Sequence, residues 1–326
     1  MQGLKNLGST CAANSLIQII CRNKYLRESI LNEAIPENTL SFELKDILKI
    51  LFIDKNSISP NRFIMNLYNT FQNFINIGEQ IDITELWFLL FDKISSEISI
   101  NTNITYHNNY NNIDLNNPLI YEKANYTISK FNNFKSSNWL ETSQGLILNI
   151  ITCNNCKNIS YSFEPFISIQ LDLPNDSNTS ISLTSLFRKY LKTYVNKDDW
   201  KCDKCKMCCE YTKEQKLWKL PNVLIFFIKR YSTINKKNNT PVNINENINI
   251  KKGCILENEN LEMFYKLSSI ALHFGDLNGG HYMAICHDDE KQKYILYDDL
   301  NIKVYDKNNT NFLSNNSSVY MAIYSI

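Results

Sequence analysis

Ten cysteines and four histidines hold most of the reactive chemistry in this chain of 326 residues. Cys11 opens a segment, Cys11–Ile30, whose apolar residues recur at helical spacing, with Ser9 or Thr10 in the N-cap position. The unsatisfied N–H groups and dipole of a helix start favour a thiolate and lower the thiol pKa, so Cys11 is a candidate nucleophile. A solitary cysteine is more often a small buried apolar residue. Asn6, just upstream, has a side-chain amide suited to the oxyanion of a tetrahedral intermediate.

A base is sought among the histidines. Two predicted strands, His281–His287 and Gln292–Asp298, flank the loop Asp288–Lys291. Pairing across this hairpin sets His281 opposite Asp298 with Cβ atoms about 4.5–5.5 Å apart, and turns Asp299 to the other face. A slip of one residue would exchange the two aspartates. The carboxylate would orient the imidazole while the second ring nitrogen takes the thiol proton. His107 lies in an Asn-rich stretch and His287 in the hairpin turn, which leaves His273, on the preceding strand, as the rival base. Glycines are scarce, yet Gly3 and Gly8 lie on the approach to Cys11 while Gly275, Gly279 and Gly280 lead into His281. Glycine suits close backbone approach or positive φ. The clustering predicts a narrow cleft that admits an extended peptide.

Two further pairs, Cys153-Asn-Asn-Cys156 and Cys202-Asp-Lys-Cys205, can each present two thiolates from one tight turn to a tetrahedral Zn²⁺. The stretch between them exceeds ribbon spacing, so strands or a helix must intervene. Cys208 and Cys209 are alternative ligands or spare thiols. A closed site of four thiolates has no free coordination position and would brace structure only.

The elements that carry these groups divide the chain. Helical spacing recurs over Phe42–Ile53, Pro60–Phe74 and Asp82–Ile94, and residues 99–138 form an Asn-rich stretch expected as an extended surface insertion. Beyond Leu146 strands dominate, including Ser160–Leu173, Lys213–Leu217, Val223–Tyr231, Tyr265–His273 and Ser318–Tyr324, with one helix over Ser182–Tyr194 and a loop or hairpin tip over Lys236–Ile250. A helical half followed by a β half predicts an α+β fold with a cleft between the halves. A net charge of +1 provides no electrostatic footprint for nucleic acid or an anionic membrane. The longest apolar runs, Leu86–Phe91 and Val223–Ile228, are far too short to span a bilayer, and the N-terminus lacks a secretory pattern. Reduced thiols in a cytoplasmic or nuclear setting are therefore expected.

Together the motifs resemble the ubiquitin-specific proteases. Gly3-Leu-Lys-Asn-Leu-Gly-Ser-Thr-Cys-Ala-Ala-Asn-Ser is similar to that family's Cys box, and Gly279-Gly-His-Tyr with the later Tyr297-Asp-Asp to its His box. Glu79-Gln-Ile-Asp-Ile-Thr-Glu-Leu, Gln144-Gly and Leu220-Pro-Asn-Val-Leu through Lys229-Arg-Tyr also match in order, so the likeness runs from Gly3 to Tyr324. It implies one papain-like catalytic domain over 1–326 built as a right hand: a helical thumb within 1–135, zinc-braced β fingers within 146–216 and a palm sheet within 217–326. It also implies Cys11 as nucleophile, His281 as base, Asp298 as its orienter and Asn6 as oxyanion donor, with Gln80, Asp82, Glu85, Gly279, Gly280 and Tyr282 along the substrate's tail. The implied substrate is ubiquitin or a ubiquitinated protein, cleaved after the C-terminal glycine by an enzyme acting as a monomer. Ala12-Ala13, Ser9, Ile81 and Leu86 depart from the usual boxes and bear on preference among ubiquitin-like modifiers. A catalytically silent ubiquitin-binding scaffold is the alternative from another class, and a zinc-ribbon nucleic-acid binder a third. Because the Cys box begins at Gly3, a minimal enzyme or a trimmed form of a longer one is expected. The Asn and Ile bias suggests an AT-rich genome, with the host cell cytoplasm as the setting if the source is viral.

Overall fold

The structure, a computed structural model, describes residues 2–76, 78–106, 113, 115–175, 177–231, 236–250, 264–276, 279–306 and 311–326; His107 and Cys254 lie outside them. Helices α1 (Cys11–Arg22), α2 (Lys24–Leu31), α3 (Leu40–Phe52), α4 (Asn61–Thr70) and α5 (Ile83–Ile98) come first. The single helix expected over Cys11–Ile30 is thus two. Asn23 leaves helical geometry with ψ 118°, caps the Leu26 N–H through Oδ1 at 3.1 Å, and donates from Nδ2 to the hydroxyls of Ser268 and Ser325 at 2.9 and 2.7 Å. Apolar spacing runs through the break because burial does, and the interruption comes from partners far away in the chain.

The Asn-rich stretch corrects the expectation of an extended insertion. It holds the short strand β1 (Ile100–Asn101), helix α6 (Leu119–Phe131) and strand β2 (Lys135–Ser136), with β1 and β2 paired. Ile120 and Ala124 of α6 are buried in a small core with Leu148 and Phe163. Asn, Tyr and Thr are weak helix formers, so it is this packing that sustains α6, which composition alone conceals.

After α7 (Asn138–Ser143) come β3 (Gly145–Cys153), β4 (Ile159–Phe166), β5 (Ile169–Asp172), β6 (Ile181–Ser182), α8 (Leu183–Tyr190), β7 (Tyr194–Lys201), β8 (Cys208–Lys219) and β9 (Val223–Lys229). Then follow β10 (Val242–Asn243), β11 (Asn247–Asn249), β12 (Phe264–Asp276), β13 (Gly279–Asp288), β14 (Lys293–Asp298), β15 (Asn301–Tyr305) and β16 (Val319–Ser325). Strands β4-β3-β8-β7 form one sheet. A larger one runs β15-β14-β13-β12-β16-β9-β5, with β11 added on β12. The strand expected over Ser160–Leu173 is two, because the chain leaves the first sheet at Phe166 and joins the second at Ile169. The expected loop or hairpin tip Lys236–Ile250 contributes β10 and β11.

Burial explains the apolar run of β9. Val223, Ile225 and Phe227 belong to the core shared with the helices, whereas Leu224, Phe226 and Ile228 belong to a second core on the opposite face. A strand covered on both sides needs no polar alternation. The first core presses α1 onto β13, and this docking brings Cys11 to the backbone of Tyr282, the residue after His281. No helix among the described residues is long and apolar enough to cross a membrane.

Candidate active site

Cys11 is the first residue of α1 and is 2% exposed. Thr10 occupies the N-cap position without capping. Its hydroxyl accepts the Leu7 N–H at 3.0 Å and donates to Asn6 Oδ1 at 3.1 Å. The first N–H groups of α1 are therefore left to the thiol. Burial nevertheless pushes the Cys11 thiol above its ordinary value; the backbone N–H of Tyr282 in β13 opposes this, the Asp299 charge reinforces it, and the N–H groups of Ala12 and Cys11 oppose it further. The lowering expected from the helix start is real in sign but smaller than the desolvation.

His281 Nε2 lies 2.6 Å from Asp298 Oδ1, which leaves Nδ1 as the ring nitrogen for a thiol proton. The hairpin register differs from the expected one. Observed partners run from Ala284–Tyr297 to Asp288–Lys293, so the strands are offset by two residues and the loop is Asp289–Gln292. An even offset preserves the face. His281 and Asp298 consequently meet on the diagonal instead of directly opposite.

Asp299 has a part that sequence reasoning missed. It sits at φ 52°, where its Oδ2 accepts Asn6 Nδ2 at 2.9 Å and its Oδ1 accepts Asn14 Nδ2 at 2.7 Å. Its carbonyl accepts the Leu4 N–H at 3.0 Å. A Cβ on Gly3 would stand 2.5 Å from that carbonyl oxygen, so glycine is required for the two segments to meet. The Asn6 amide is thereby oriented, with one N–H still free of Asp299. The available signal was an aspartate ending a strand beside another, since aspartate tolerates the left-handed conformation of a turn.

His273 is set apart from the thiol's chemistry. The Lys237 ammonium donates to its Nδ1 at 3.2 Å, and its Nε2 is packed closely against Gly280, where a Cβ would collide with it. Burial first, and then the Lys237 charge, lowers its pKa to about 4.

The remaining expected residues line the junction of α5 with β13. Gly280 N–H donates to Gln80 Oε1 at 2.7 Å and Gln80 Nε2 returns a bond to the Gly280 carbonyl, a clasp between the segment before α5 and the start of β13. Asp82 caps α5 through the N–H of Thr84 at 2.7 Å and accepts the Tyr282 hydroxyl at 3.3 Å. Glu85 is exposed in the first turn of α5. Tyr282 is buried and stacks on His273 with centroids 4.4 Å apart, so only its backbone faces the thiol. Gly279 faces open space.

At the far end of the smaller sheet, the sulfurs of Cys153, Cys156, Cys202 and Cys205 all lie within 4.8 Å of one another. A tetrahedral metal bound at about 2.3 Å needs sulfurs roughly 3.8 Å apart, and Cys156 and Cys202 are 3.7 Å apart. The four cysteines can hold a metal ion. Two turns of one design present them: Lys157 and Lys206, each following a pair, both take φ 59°. The Cys153 thiol is lowered by the N–H of Cys156 and the Cys202 thiol by that of Cys205. Cys209 Sγ is 3.3 Å from Cys153 Sγ and Cys208 is exposed, so of the two extra thiols only Cys209 reaches the cluster.

A sheet faced by helices on the cysteine side, with Cys11 docked onto the strand that carries the histidine of a His–Asp pair, defines a papain-like cysteine peptidase fold. The family model for ubiquitin carboxyl-terminal hydrolase matches residues 2–324, and the chain belongs to that family. It is 24% identical over 333 residues to ubiquitin carboxyl-terminal hydrolase Usp2 of Drosophila melanogaster, covering 99% of this chain and 34% of that protein. To human ubiquitin carboxyl-terminal hydrolase 2 it is 23% identical, covering 93% of this chain and 52% of the relative. The chain thus spans a third to a half of these relatives. Among solved structures, the SAGA DUB module Ubp8/Sgf11/Sus1/Sgf73 bound to monoubiquitin contains a chain with a TM-score of 0.76 at 22% identity, covering 100% of this chain and 69% of that one. This likeness is one of fold.

Proposed function

We propose that the protein is a deubiquitinating cysteine protease, which hydrolyses the peptide or isopeptide bond after the C-terminal glycine of ubiquitin. The observation that carries this reading is the docking of Cys11, at an uncapped helix start, onto the strand of His281, whose ring is held by Asp298. His281 Nδ1 takes the thiol proton while Asp298 stabilises the imidazolium. The thiolate adds to the glycyl carbonyl, and the oxyanion is met by the second Asn6 N–H and the first-turn amides of α1. Collapse breaks the C–N bond, His281 protonates the leaving amine, and a thioester remains. Water, deprotonated by His281, then releases the carboxylate and the thiol.

A raised thiol pKa in the free enzyme suits a nucleophile that ionises when substrate and His281 are in place. Gln80, Glu85, Gly279 and Gly280 are assigned to the ubiquitin tail, with Glu85 as the exposed carboxylate for an arginine. Asp82 and Tyr282 support that wall from beneath. The four-cysteine site is assigned to structural Zn²⁺, which would brace the tips of the fingers. Free thiols suit an intracellular, reducing setting, and a near-neutral surface gives no reason to invoke nucleic acid or membrane.

The test is incubation with ubiquitin carrying a C-terminal electrophile, using wild type and Cys11→Ser. A covalent adduct on the wild type alone is expected. No adduct on either protein would favour a silent scaffold, provided ubiquitin still binds. A modifier-specific protease would be revealed by adducts with another ubiquitin-like probe in place of ubiquitin.

A further inference from the structure

The elements that carry Cys11, His281 and Asp298 lead away from the active site to a second cavity. α1 ends there at Arg22, and the β13–β14 hairpin ends there in its tip, residues 287–291. With Gln2, Lys24, Arg27 and Lys55 they enclose about 410 Å³.

Its polar groups are incompletely satisfied. Arg22 Nε donates to Gln18 Oε1 at 3.4 Å, whereas Arg22 Nη2 is buried with no hydrogen-bond partner, and so is Gln2 Oε1. Arg27 is 8% exposed; its guanidinium stacks 3.6 Å over Phe52 and spends Nη1 on the Cys21 carbonyl at 2.9 Å. Among the described residues no carboxylate lies within ion-pair distance of Arg22, Lys24, Arg27 or Lys55. Two acids of the hairpin tip are engaged locally, Asp289 with His287 at 2.8 Å and Asp288 with Lys291 at 3.8 Å, and Glu290 is the third acid on the lining. Four cations with no carboxylate in ion-pair contact, an orphaned donor and an orphaned acceptor share one concavity, in which basic side chains outnumber the acids of the hairpin tip. Buried polar groups are ordinarily paired, so these call for a partner with both acceptor and donor character.

We propose that this cavity binds a small polyanion bearing at least two phosphate groups and a free hydroxyl, of the class of inositol polyphosphates or nucleoside polyphosphates. Its volume falls within the range of small-molecule sites, about 300–1,000 Å³, and exceeds the needs of one phosphate. Phosphate oxygens would take charge-assisted bonds from Arg22, Arg27 and the two lysines, and the ligand hydroxyl would donate to Gln2 Oε1. The ligand would join the end of α1 and the start of α2 to the β13–β14 tip. Helices and sheet would then be clamped together behind the active site.

The full chain is titrated with inositol 1,4,5-trisphosphate, ATP and inorganic phosphate at fixed ionic strength, with binding read by calorimetry and by thermal unfolding. Saturable binding of either polyphosphate, at least tenfold tighter than inorganic phosphate and accompanied by a higher Tm, is expected; the tighter of the two identifies the source of the phosphates. The double variant Lys24→Gln/Lys55→Gln alters two exposed side chains and should bind at least tenfold more weakly with an unchanged ligand-free Tm. Arg27→Gln provides a second reduction. Polyphosphate binding no tighter than inorganic phosphate, or undiminished in both variants, overturns the proposal.

Discussion

Adjacent carboxylates with different partners make separable predictions at the residue scale. Asp298 touches His281, so Asp298→Ala should lower kcat on a fluorogenic ubiquitin substrate by about 10²–10⁴-fold. Asp299 touches Asn6 and Asn14, so Asp299→Ala should cost roughly 10²-fold by releasing the oxyanion amide. If that is its route, Asn6→Ala/Asp299→Ala will be no worse than Asn6→Ala to within about 0.5 kcal/mol; additive losses would separate the two residues. His273 makes a prediction about pH. Its folded pKa of about 4 lies below the ordinary 6.5, so the fold favours the neutral ring. The associated stability is complete above pH 6.5 and declines as pH falls toward 4, by about 3 kcal/mol. Urea unfolding of wild type against His273→Gln should show the difference between them shifting across that window and level above it.

At the scale of elements, Asn23 is the joint between the helices and the large sheet. Asn23→Ala removes a helix cap and the bonds to Ser268 and Ser325, and should destabilise by about 1–3 kcal/mol in denaturant titration. This joint also marks a boundary of what sequence can reveal. Helices α3 and α5 and strands β9, β13 and β14 were legible because their apolar spacing reports a face buried by nearby residues. The break at Asn23, helix α6 and the left-handed turn at Asp299 were not, because each depends on partners distant along the chain. His281 and Asp298 were paired correctly as to face even though the offset was wrong, since parity is all that a two-residue shift preserves. The two Cys pairs declared themselves by spacing, but the approach of Cys209 to Cys153 required the β3–β8 pairing to be seen.

For the whole molecule, the metal prediction concerns how one end braces itself. The smaller sheet has only a small core of its own, Leu146, Leu148 and Phe163 with the α6 residues, and its tip is formed by the cysteine turns. Metal analysis of the purified chain should find a single zinc, lost in Cys202→Ser and retained in Cys209→Ser. Retention in the former, or loss only in the latter, would reassign the ligand set. Removing zinc with a chelator should loosen the β3–β8 region first, read as faster amide exchange there than in β9 or β12.

Strand β16 closes the sequence of elements yet lies inside the large sheet, between β12 and β9. Everything that bears His281 and Asp298 is on one side of it, and β9 and β5 are on the other. During synthesis the ribosome releases the chain from the other end, so Cys11, His281 and Asp298 all emerge before the strand that joins the two parts of the sheet. The seam cannot close until β16 is clear of the exit tunnel, and a chain made only as far as β15 therefore holds Cys11, His281 and Asp298 without the strand that unites the sheet behind them.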